Sequence, residues 1–80
     1  MSEYKRRQDE CFKDLKDILE EKGMSKTIQS YLARIEDVFR FYIVADLDWE
    51  MIHLKSISLD GKKLENFLKG ITETIESYME

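Results

Sequence analysis

Eighty residues and 9.6 kDa, 42% hydrophobic and 38% charged, make one small globular domain under a densely charged surface. Seventeen acidic against thirteen basic side chains leave a formal charge of −4, which argues against a protein whose main task is neutralising duplex phosphates. One cysteine, Cys11, excludes an internal disulfide and suits a reducing compartment. The opening MSEYKRRQDE carries no apolar export segment, and the longest apolar run, residues 41–45, falls far short of the roughly 20 residues of a membrane span. The expectation is a cytoplasmic protein that neither enters nor crosses a membrane.

There is no proline, no Ser/Gly-rich linker and no repeat, so breaks are read from three glycines and from changes of period. In the first segment Cys11, Phe12, Leu15, Ile18 and Leu19 share one helical stripe, with Tyr4 upstream. The other face is charged, with Asp9/Lys13, Lys13/Asp17 and Lys16/Glu20 spaced for i,i+4 pairing. The pattern predicts a helix over Glu3–Lys22, ended by Gly23, with Ser25 as the N-cap of the next.

The second segment keeps the 3.6 period through Ile28, Tyr31, Leu32, Ile35, Val38, Phe39 and Tyr42. Residues 38–45 are then apolar on every side except Arg40, as in a helix buried on several faces or shared with a partner. Tyr31, Ile35, Val38, Tyr42, Ala45, Trp49 and Ile52 extend one helical stripe through this region. The competing reading is a small β-hairpin around residues 39–55, since Phe, Tyr, Ile and Val favour strands. Residues 46–57 read as a bend and a short helix. The last segment has Asp60 as N-cap and a stripe of Leu64, Phe67, Leu68, Ile71, Ile75, Tyr78 and Met79. Gly70 interrupts it, which suggests close helix packing or a local break. The expected fold is all-α, a bundle of three to four helices in a single domain over 1–80.

Catalytic constellations are nearly absent. Cys11 and His53 form a dyad only if the fold joins them, and Cys11 sits on an apolar stripe, where a buried thiol behaves as a small hydrophobe. Glu50 and His53 have the Glu-x-x-His spacing of di-metal bundles, but one copy does not make such a site. Asp46-Leu47-Asp48 lacks the glycine and the downstream glutamate of a calcium loop. The expectation is therefore no enzyme, no metal, no cofactor and no small-molecule ligand.

What remains is binding. Phe41, Tyr42, Ile43 and Val44 supply apolar area, Trp49 an aromatic anchor, and Asp46, Asp48 and Glu50 an acidic rim. These eight residues form the expected partner-binding set, with a protein partner or a homodimer as the occupant. Trp49 has a second reading as a core residue, because it lies on the helical stripe. By analogy, a small acidic protein of this kind suits a regulator or inhibitor encoded by a phage or mobile element.

One further pattern concerns Gly23, Met24, Ser25, Thr27, Ile28 and Tyr31, followed by Ile35, Val38, Phe39 and Tyr42. A Gly-hydrophobic-Ser turn, then Thr-Ile-x-x-Tyr and an apolar run, resembles the N-terminal core-binding (SAM-like) domain of tyrosine recombinases of the phage-integrase type. LKSISLDGKKLENFL downstream is similar to that family's short helix ending in Phe-Leu. The resemblance implies a DNA-associated helical module without recombination chemistry. Its phosphate contacts would be Lys5, Arg6, Arg7, Lys26, Arg34 and Arg40, although the net charge disfavours nucleic acid as the main partner.

Overall fold

The computed structural model describes residues 3–41 and 47–78, with side chains for 3–38 and 47–78. Four helices follow in chain order: α1 (Glu3–Lys22), α2 (Lys26–Phe41), α3 (Trp49–Ser58) and α4 (Gly61–Ser77). No strand occurs among the described residues, and α3 occupies the stretch where the alternative hairpin would need its second strand. The domain is all-α. No described helix is long and apolar enough to cross a membrane.

Local signals set most boundaries. Gly23 ends α1 at φ 80°, a left-handed conformation that costs glycine little, and its N–H donates to the Glu20 carbonyl. Ser25 then caps α2, its Oγ accepting the Ile28 N–H at 3.2 Å. The same hydroxyl donates to Glu65 Oε1 at 3.0 Å, which ties the start of α2 to α4. Asp48 caps α3 from an extended conformation (φ −89°, ψ 95°), its carboxylate accepting the N–H groups of Glu50 and Met51. The short helix expected within residues 46–57 is α3, and Asp48 starts it, so the stripe from Tyr31 to Ile52 is shared between two helices. Gly61 opens α4 at φ 55°. Asp60 precedes it without a side-chain cap bond, since its carboxylate is turned to Lys22.

The closest helix packing joins α1 to α3 and α2 to α4. Each pair runs in one direction. Arg7 meets Glu50 near the starts of α1 and α3, and Lys22 meets the end of α3. Ser25 meets Glu65 and Arg34 meets Glu76 along α2 and α4. One core collects Cys11, Phe12, Leu15 and Leu19 from α1, Ile28, Leu32, Ile35 and Val38 from α2, Trp49 and Ile52 from α3, and Leu64, Leu68 and Ile75 from α4. Within the expected stripes Ile18 is only half-buried and Tyr4 is 54% exposed. Buried Ser56 and Thr72 satisfy their hydroxyls on the carbonyl one turn back, Ile52 and Leu68, at 2.8 Å each. The expected Lys16/Glu20 pair is replaced by Lys16–Glu36 at 3.2 Å, a link from α1 to α2.

Trp49 is 1% exposed, its ring edge-on to Phe12 with centroids 5.2 Å apart. It belongs to the core, so its expected role as an anchor in a partner's pocket does not hold. Gly70 is also corrected: α4 continues through it, and an added Cβ would meet nothing within 4 Å. Trp49→Ala should therefore cost about 3–5 kcal/mol, much of the stability of a domain this size, and abolish a cooperative thermal transition followed by circular dichroism. Gly70→Ala should act in the opposite sense, raising stability by about 0.5–1 kcal/mol in a urea melt.

Candidate functional site

A ten-residue helix is too short to persist alone in water, so α3 depends on its supports. Both of its ends are held by α1. At the start, the Trp49 backbone N–H donates to Gln8 Oε1 at 2.9 Å, completing what the Asp48 carboxylate begins. Arg7 adds an ion pair to Glu50 at 2.8 Å, and hydrogen bonding to that carboxylate raises the Arg7 pKa further above its already high value.

At the far end, the Lys22 ammonium donates to the carbonyls of Ile57 and Leu59 at 2.8 Å each and to Asp60 Oδ1 at 2.7 Å. All three of its donors are used. A cation at a helix C-terminus also opposes the negative end of the macrodipole.

Held this way, α3 turns Trp49, Ile52 and Ser56 inward. Its other side carries Met51, Leu54 and Ile57, which are 56%, 55% and 50% exposed. Three-residue steps place these side chains within an arc of about 120° opposite the buried face. The helix is therefore apolar on both sides, although only one side meets the core. Beside its start lies an open groove of about 440 Å³ between the first turns of α1 and α3, lined by Glu3, Tyr4, Arg7, Gln8, Leu47, Asp48 and Glu50.

Three residues of the expected partner-binding set have described side chains. Asp48 is an exposed N-cap, Glu50 is engaged by Arg7, and Trp49 is internal. The side chain of Phe41, and Tyr42, Ile43, Val44 and Asp46 entirely, lie outside the described residues. Met51, Leu54 and Ile57 were not singled out by the sequence, yet a signal was present. Met51, Leu54 and Ile57 recur at three-residue steps, on a different side of the helix from Trp49, Ile52 and Ser56.

The cation set is equally scattered. Arg6 pairs with Glu3 and Glu10, Arg7 with Glu50, and Arg34 with Glu76. Lys26 is exposed at the start of α2, Lys5 is half-buried on α1, and the Arg40 side chain lies outside the described residues. No single basic face emerges from Lys5, Arg6, Arg7, Lys26 and Arg34.

Cys11 is 5% exposed, and burial pushes its thiol above the ordinary range, the reverse of an activated nucleophile. His53 is half-buried on α3 with its Nδ1 enclosed and making no hydrogen bond. Among the described residues no group of three or more His, Cys, Asp or Glu side chains is placed to hold a metal ion. Comparison with family models, with curated proteins and with solved structures finds no match for this chain.

The Lys22 clasp separates buried from exposed contributions. Lys22→Met should cost about 1.5–3 kcal/mol, because charge-assisted bonds to two otherwise orphaned carbonyls are lost. Asp60→Asn removes only an 83%-exposed partner and should cost about 0–1 kcal/mol. Paired urea melts check the difference.

Proposed function

We propose that this chain is a non-enzymatic protein-interaction module that docks through the outward face of α3. The observation that carries the reading is the exposure of Met51, Leu54 and Ile57 on a helix whose opposite side fills the core. Exposed large apolar side chains are ordinary singly, but three on one short helix cost solubility and mark a surface that is covered in use. Such a face suits helix-in-groove recognition, with anchors spaced three residues apart. A regulator or inhibitor that works by occupying its target fits this arrangement, as it needs no reactive group. The burial and raised pKa of Cys11 also support binding over thiol chemistry.

Affinity capture of the tagged chain from its host, with and without nuclease, tests the proposal against the wild type and Leu54→Glu. A protein partner should survive nuclease and be lost with Leu54→Glu, while circular dichroism stays unchanged because Leu54 is 55% exposed. Partners unaffected by charges at both Leu54 and Met51 would overturn the assignment to this face. On duplex DNA, polarisation should show nothing tighter than about 10 µM at about 0.15 M salt, against 10⁻⁸ to 10⁻¹¹ M for specific binders. Submicromolar binding that collapses with salt, and weakens when Lys5, Arg6 and Arg7 become alanine, would favour the recombinase-type module instead.

A further inference from the structure

The geometry points to a second copy of this chain as an occupant of the α3 face, packed antiparallel about a two-fold axis beside Leu54. This rests on the reading of that face as a docking surface and adds the identity and register of what covers it. Leu54 stands near the middle of the outward arc, with Met51 before it and Ile57 after it, so the stripe is close to symmetric about one residue. A two-fold contact requires a self-complementary patch of this kind.

Charge fixes the direction. At the start of α3 stand the carboxylates of Asp48 and Glu50, and just beyond its end stand the exposed ammonium groups of Lys62 and Lys63. Glu50 shares its charge with Arg7, Asp60 with Lys22 and Lys62 with Glu65, which leaves Asp48 at the acidic end and Lys55 and Lys63 at the basic end. An antiparallel pair sets the acidic end of each copy against the basic end of the other. A parallel pair would oppose like charges and align the two helix dipoles.

Area sets the strength. Three half-exposed aliphatic side chains on a ten-residue helix offer far less than the roughly 800 Å² per partner of a standard interface. The contact is therefore reversible and forms at high protein concentration.

Sedimentation equilibrium from about 10 µM to about 1 mM, combined with cysteine cross-linking, tests the geometry. The wild type should show a monomer–dimer equilibrium, and Leu54→Glu should weaken it by about tenfold or more, since the axis brings the two new carboxylates together. Leu54→Cys should form a disulfide dimer under mild oxidation about tenfold faster than Glu73→Cys, an exposed control on α4, because only the first pair lies within bonding range. A wild type that stays monomeric throughout, with both cysteine variants oxidising alike, overturns the proposal. That result leaves the docking face itself intact if a different protein is still captured through Leu54. A dimer that survives Leu54→Glu, or that fails to cross-link at Leu54→Cys, assigns self-association to another surface and overturns it equally.

Discussion

The dependence of α3 on α1 organises this molecule. A helix of ten residues has little intrinsic stability, and here its first free N–H groups and its last free carbonyls are met by Gln8, Asp48 and Lys22. At the start of α3, Trp49 also lies edge-on to Phe12 and closes the α1–α3 contact. Polar groups fix both ends and the aromatic pair adds a packed contact at the first residue, which sets the rotation of α3 about its axis. That setting decides which side chains face water. Met51, Leu54 and Ile57 are outside because Trp49, Ile52 and Ser56 are inside.

The second helix pair is built differently. α2 and α4 meet through Ser25 and Glu65 at one end and Arg34 and Glu76 further along, with aliphatic residues between them. Both helices have one apolar and one polar side, so their orientation follows mainly from hydrophobic burial. Lys55 lies over the Phe67 ring at 5.1 Å and gives α3 a further contact on α4.

These differences explain what was legible in the sequence. The bounds of α1, the cap at Ser25 and the inward stripe of α4 follow from local rules of period and capping, which operate within a few residues. Trp49 had two readings, interface anchor by residue type and core by its place on the stripe, and its packing on Phe12, 37 positions earlier, favours the second. Lys22 was invisible because its three acceptors lie 35 to 38 residues ahead. The exposed stripe on α3 is harder to read, because its apolar residues are interspersed with Glu50, His53 and Lys55.

The pairing of α1 with α3 and of α2 with α4 has a consequence for how the chain can be divided. Its two short connections make two sequential hairpins, α1–α2 and α3–α4, but the closest packing runs between the hairpins and not within them. Each half of the sequence thus contributes one helix to each packed pair, and neither half encloses a core of its own. Such an interleaved arrangement melts as a unit, with no autonomous half to persist as an intermediate. A hairpin cut from either half would need a second chain to fold against.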